Sequence, residues 1–362
     1  MNVLKALGIT AMVLGHSGSP FVKYIYLYHM ALFFFISGYF YKDAYEQKPF
    51  KLLFKRMKSL YLPFVCYEII FVLIRNFLIS INIYNENTTP SIHGINEFIS
   101  YMKLIITFNY TGDNLLSTFW FLKTLFYVNI LFLIINLLIK KVRVKAEYQR
   151  FIILTFIFIA SFYGLRNGVN IMGYINPSNR KIISLFTNII DYRNLILVNI
   201  YYMGYLYKKY EEKIPLNIYL VIISILFLKH NSNIGGIEIS AYQFKNPIYF
   251  LLNSLMGIYV NIYFSKILAK RRMPLLEYIG KNSMFIMIFH FLSFKLVSLA
   301  IIFIYNLEIS ELASFPAIYI GKYWYVVYTI VGVCIPIMIK YCIDIVNRYI
   351  YKLKHISSVE SE

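Results

Sequence analysis

The sequence predicts an all-α integral membrane protein: a bundle of about ten transmembrane helices with the N- and C-termini cytosolic. Of its 362 residues 59% are hydrophobic, and the mean hydropathy is +0.61, beyond the range of soluble globular domains. The apolar residues gather in windows of roughly 17 to 25, the length that crosses a bilayer as a helix. Lys and Arg collect in the short connections on alternate sides of those windows, as the positive-inside rule requires. The net charge of +19 would suggest nucleic acid in a soluble protein. Here it belongs to the loops, and no nucleic-acid partner is expected.

The windows lie near 3–18, 24–41, 59–80, 118–139, 151–165, 195–207, 216–229, 247–265, 283–305 and 323–343. With the N-terminus inside, the inner set is Lys5, the loops 42–58, 140–150, 208–213 and 266–281, and the tail from Lys340. That set holds 24 of the 36 basic residues. The connections 81–117 and 166–194 then face outward. They are rich in Asn, Ser, Thr and Gly, include YINPSNRK, and are too polar to be spans; they suit a hydroxyl-rich ligand or plain solvation equally. Asn87-Thr88-Thr89 and Asn109-Tyr110-Thr111 match a glycosylation acceptor pattern, which matters only in a eukaryotic secretory pathway. Cys66, Cys334 and Cys342 lie in apolar stretches without metal-ligand spacing and read as packing residues. The first apolar segment lacks a small-residue cleavage site, so a secretory signal is not expected. With no repeat and no linker, the chain reads as one membrane domain, 1–343, followed by a cytosolic tail, 344–362.

The chemistry centres on Lys5 to Tyr41. KALGITAMVLGHSGSP and YIYLYHMALFFFISGYFY are two apolar segments with one histidine each, His16 and His29. An ionisable group within a membrane segment is expensive and marks a functional site by default. Lys5 precedes His16 by eleven residues, about 16 Å along a helix. A cation at one interface and a proton acceptor deeper in suggest a site that bridges the membrane. Imidazole titrates near neutral pH and can take a hydroxyl proton, so His16 is the candidate general base, the alternative being a structural histidine. His29 is a second base, an orienting group, or a supporting interhelical hydrogen bond.

Further candidates follow along the chain. Lys51, Lys55, Arg56 and Lys58 form a basic cluster beside the membrane. It serves either as a cradle for the phosphates of a cytosolic cofactor or as positive-inside decoration in contact with anionic lipid. Glu68, inside the third window, is a partner for a histidine or a lysine, or else forms a local ion pair with Arg75. Trp120 is an interfacial anchor or a pocket wall, with Lys123 just inside it. Asn282 or Ser283 caps a helix start, and His290 is a third pocket histidine or a structural one. HExxH, CxxC, P-loop and G-x-S-x-G patterns are absent from the sequence. The histidines are not spaced as a metal site within one helix, so no metal is expected. A lone base with cations on the cytosolic side favours direct transfer of a group onto a hydroxyl.

KALGITAMVLGHSGSP, YHMALFFFISGYFYK, FKRMKSLYLPF, TFWFLKTLF and YIGKNSMFIMIFH, in that order, resemble the membrane-bound acyltransferase family 3. The branch they resemble is the fucose 4-O-acetylase-like group of bacterial glycan O-acetyltransferases. The resemblance covers nearly the whole chain, though the middle spans match only as hydrophobic pattern. It implies about ten helices in the inner membrane that take an acetyl group from cytosolic acetyl-CoA. The acceptor it implies is a sugar hydroxyl of a cell-surface or lipid-linked glycan. The family's basic-x10-His pair falls on Lys5 and His16. Its later basic pair falls on Lys55 and Lys58, or around Arg56, without the full Arg-x-x-Arg form. Lysine there does not supply arginine's bidentate fork. On this reading CoA phosphates sit near Lys5 and the 51–58 cluster, and His16, oriented by His29 or Glu68, deprotonates the hydroxyl. Lys123, Asn282 and Ser283 are the candidate oxyanion donors. The rival is a proton-coupled glycan or lipid carrier or flippase, which would show related halves; no internal similarity is visible. A non-catalytic assembly or sensor role leaves both membrane histidines unexplained.

Overall fold

The computed structural model describes residues 1–110, 113–140, 146–169 and 188–359, and its regular structure there is helical. The YINPSNRK run and Thr111 of the second glycosylation pattern lie outside the described residues. Among the described residues six helices are long and apolar enough to cross a bilayer: 49–80, 114–140, 147–166, 247–269, 283–305 and 324–351. Shorter helices fill the spaces between them, and the whole is an all-α integral membrane protein.

The first helix, α1 (Asn2–His16), buries Val3, Leu4, Ala6, Ile9, Met12 and Val13 and runs through the middle of the bundle. It stops where Ser17 Oγ donates to the Leu14 carbonyl at 2.9 Å and Gly18 takes φ +76°. A side chain at Gly18 would also strike the ring of Tyr319. The expected continuous span at 24–41 is instead two pieces, α2 (Val22–Tyr26) and α3 (His29–Tyr39). At the break the Leu27 and Tyr28 amides tighten onto the carbonyls three residues back. The Ile25 carbonyl then serves His29 Nδ1 at 3.0 Å. The break thus places a histidine at the head of a helix rather than within one.

After the short α4 (Ala44–Gln47), α5 (Pro49–Arg56) continues through a wide π turn at Met57–Tyr61 into α6 (Leu62–Ser80). Pro63 lacks an N–H, and its ring presses toward the carbonyl four residues back, which the wider turn accommodates. The expected outer loop at 81–117 carries a helix, α7 (Ile95–Ile106), and a 3-10 turn at Asn114–Phe119. It packs because Arg75 on α6 pairs with Asp113 at 2.5 Å and lies over the Tyr101 ring at 4.4 Å. Polar composition hid this element, since its burial depends on one ion pair brought from another helix.

The remaining long helices are α8 (Trp120–Lys140), α9 (Ala146–Arg166), α10 (Tyr192–Tyr210), α11 (Ile218–Ile234) and α12 (Pro247–Ala269). They are followed by α13 (Pro274–Lys281), α14 (Ser283–Tyr305) and α15 (Trp324–Val359), the last running unbroken past residue 343 through Pro336. Small residues allow a close crossing: a Cβ on Gly38 of α3 would strike the Tyr201 carbonyl of α10, and one on Gly204 the Phe35 carbonyl. With lipid as solvent, such close backbone approach supplies the packing attraction that water would otherwise provide. Beside it, Tyr201 donates to Asn129 Oδ1 at 2.8 Å and Asn129 to Ser37 at 3.3 Å, tying α3, α8 and α10 by buried polar contacts.

Candidate active site

A cavity of about 400 Å³ lies between α1, α3, the π turn, the start of α8, the head of α14 and the loop 237–240. Its two ends differ in chemistry. Lys5 and Arg56 line one end, with Lys5 Nζ 4.9 Å over the Phe40 ring. Arg56 Nε and Nη2 and Ser59 Oγ are buried there without hydrogen-bond partners. Guanidinium N–H groups held out of water and unpartnered are costly, and an anionic ligand would satisfy them. Ile9, Met12, Phe33 and Ile36 form an apolar waist. Beyond it stand His16, Tyr26 and His29.

The hydrogen bonds restrict what each imidazole can do. His29 is 5% exposed, and its Nδ1 faces the Ile25 carbonyl at 3.0 Å. A carbonyl only accepts, so Nδ1 carries the proton and Nε2 keeps its lone pair. His16 Nδ1 lies 3.3 Å from the Tyr26 hydroxyl, and the Tyr26 ring also packs on His29 at 4.9 Å. The Tyr26 hydroxyl either accepts from Nδ1–H or donates to Nδ1; in the first tautomer Nε2 of His16 keeps its lone pair and can take a proton. His290 is wholly buried behind His16, its ring centroid 5.5 Å away. Its Nδ1 donates to the Met287 carbonyl at 2.8 Å, and its Nε2 has no partner.

Of the residues the sequence singled out, Lys5, His16, His29, Arg56, Trp120 and Ser283 line the cavity. The rest do not. Lys55 is exposed and donates to the Tyr45 hydroxyl at 3.2 Å, and Lys58 is exposed. Successive helical positions point about 100° apart, so only Arg56 of that cluster turns inward. Glu68 is fully buried away from the histidines, and neither carboxylate oxygen has a hydrogen-bond partner. Its expected partner Arg75 is taken by Asp113. Lys123 does not line the cavity, and Asn282 Nδ2 is spent on the Tyr278 carbonyl at 2.9 Å.

Several lining residues escaped the sequence reading. Tyr26 is one of 35 tyrosines, with nothing to mark it. Glu238 and Ser240 come from the connection between α11 and α12. Arg193 fixes that connection: its guanidinium lies 5.1 Å from the Trp120 ring and 4.7 Å from the Tyr242 ring, and Nη1 donates to the Ser240 carbonyl at 3.3 Å. Tyr242 donates to Asp191 at 2.6 Å. Burial pushes the Tyr242 hydroxyl up to about 12 against the pull of Arg193, so it remains a donor at neutral pH.

The arrangement combines a cationic end, an apolar passage and a pair of imidazoles, the kinds of group that transfer from a charged donor to a hydroxyl would use. Residues 1–341 match the family model of the acyltransferase domain designated acyltransferase 3. No curated protein and no solved structure matches the chain.

Proposed function

The chain belongs to the acyltransferase 3 family and is a multi-pass membrane O-acyltransferase, and from its cavity we propose the donor, the acceptor and the base. It carries an acetyl group from cytosolic acetyl-CoA to a sugar hydroxyl of a cell-surface or lipid-linked glycan, in the cytoplasmic membrane. The observation that carries this reading is the polarity of the cavity, with Lys5 and Arg56 at one end and His16 at the other. With the N-terminus cytosolic, the cationic end opens toward the CoA pool. Arg56, with two unpartnered guanidinium positions, and Lys5 would hold the donor's phosphates. The separation along α1 is about 16 Å, a distance that an extended pantetheine arm covers.

His16 Nε2 then accepts the proton of the acceptor hydroxyl as its oxygen bonds to the thioester carbonyl carbon. The tetrahedral intermediate collapses with cleavage of the carbon–sulfur bond, and the CoA thiolate leaves with the proton returned by the imidazolium. Tyr26 holds Nδ1 of His16. Of the oxyanion donors the sequence suggested, only Ser283 lines the cavity. His29 offers a second lone pair that orients the acceptor.

The test is transfer of label from acetyl-CoA to glycan by membranes with and without the protein. Ester-linked acetyl is read by NMR before and after mild base. Transfer that depends on the protein is expected. Unchanged acetylation, with an altered amount of exported glycan, would replace the enzyme with a carrier.

A further inference from the structure

Glu238 is the one acidic side chain among the described residues that line the cavity. It has no ion pair there: Ser240 Oγ donates to its Oε1, and Oε2 has no hydrogen-bond partner among the described residues. The nearby cation Arg193 is directed elsewhere, to the Ser240 carbonyl and the two aromatic rings. The segment that carries Glu238 is fixed on several sides. Glu238 and Gln243 exchange backbone bonds, 2.9 Å each, and Tyr242 is bound to Asp191. The charge of Glu238 acts on the Tyr26 hydroxyl, the group that holds His16, so the carboxylate belongs to the histidine end. Trp120 lines the same cavity. Glu238 is partly exposed within the cavity and its Oε2 makes no hydrogen bond among the described residues, so ligand hydroxyls can reach a carboxylate held on a rigid support.

We infer that Glu238 and Trp120 form an acceptor subsite selective for a neutral, hydroxyl-rich ring, and that Glu238 excludes anionic sugars. Two adjacent hydroxyls donate to Oε2 and the open lone pairs of the carboxylate, while the C–H face of the ring lies on the indole. A uronate or phosphate brought to the same place meets like charge. The cavity thereby sorts its two substrates by charge, the anionic donor to Lys5 and Arg56 and the uncharged acceptor to Glu238. This rests on the acyl-transfer reading for its meaning, but the binding itself is measurable without a donor.

The chain has two tryptophans, and Trp324→Phe leaves Trp120 as the sole reporter. In the purified full-length protein, methyl glucoside and methyl galactoside are titrated against Trp120 emission beside their uronate counterparts. Saturable binding of the neutral glycosides is expected, with the uronates weaker by about tenfold or more. Glu238→Gln should bring the two classes within about twofold, and Glu238→Asp, which keeps the charge, should preserve the preference. Uronates that bind as well as neutral glycosides, a preference unmoved by Glu238→Gln, or no binding of either class would overturn the inference. Label transfer from acetyl-CoA is measured on the same preparation. Sugar binding with the expected preference but no transfer would sink the acyltransfer reading and leave the subsite standing.

Discussion

The rings of His16 and His290 lie 5.5 Å apart, centroid to centroid, and tilted by 33°, with the Met287 carbonyl fixing the proton of His290 on Nδ1. A buried imidazole with an unpartnered Nε2 therefore packs against the proposed base. His290 is not among the residues that line the cavity, so any effect it has on the reaction would pass through His16. His290→Ala is expected to lower kcat by about 10- to 100-fold, since a displaced base loses its alignment. The acceptor KM should change little. The pH profile of kcat should move as well, and a mutant that only loosened packing would leave that profile in place.

Arg56 and Lys58 make a second comparison, because they are close in sequence and opposite in placement. Arg56→Ala removes the unpartnered guanidinium from the cavity and should weaken acetyl-CoA binding by about 10- to 100-fold, the loss of one or two charge-assisted hydrogen bonds. Lys58→Ala, on an exposed position, should stay within about twofold. Equilibrium binding of acetyl-CoA to the purified protein checks both, and equal losses would remove the cationic end from donor binding.

The sequence made the membrane class plain, because hydropathy and loop charge are sums over many residues and tolerate local error. It also marked His16, His29, Lys5, Arg56, Trp120 and Ser283, each by an unusual residue type at a membrane segment or helix start. Glu68 stood out for the same reason, yet it is buried outside the cavity. Hydropathy reports that a carboxylate is buried but not which way it points. Lys55 and Lys58 were lost because neighbouring helical positions point about 100° apart, and residue type alone does not say which cation of a cluster faces inward. Tyr26 and Glu238 were illegible because their importance is made entirely by tertiary contact. The break at Leu27–Tyr28 was likewise hidden inside an unbroken apolar run.

The crossing of α3 and α10 predicts a stability effect. Gly38→Ala or Gly204→Ala sets a methyl against a carbonyl of the facing helix, an overpacking cost of about 1–3 kcal/mol. The detergent-solubilised protein should melt at lower temperature. An unchanged melting temperature would show that the two helices separate more easily than this packing implies.

Arg75 and Asp113 predict another. Both are buried, 1% and 5% exposed, and joined at 2.5 Å. Asp113→Ala leaves the guanidinium charged and without its anion, at a cost of about 3–5 kcal/mol. Protein yield and melting temperature should fall, while any folded fraction should bind acetyl-CoA as the wild type does. Weakened donor binding in the folded fraction would connect this pair to the cavity, contrary to its position.

The most direct test of the account is turnover by the purified protein carrying His16→Ala, compared with His16→Gln and with wild type. Label transfer from acetyl-CoA to deacetylated host glycan is followed beside acetyl-CoA binding. The value of kcat is expected to fall by about 10²- to 10⁴-fold in both variants, the usual worth of a general base, while acetyl-CoA binding stays within about twofold. Transfer at the wild-type rate by a well-folded His16→Ala protein would contradict it.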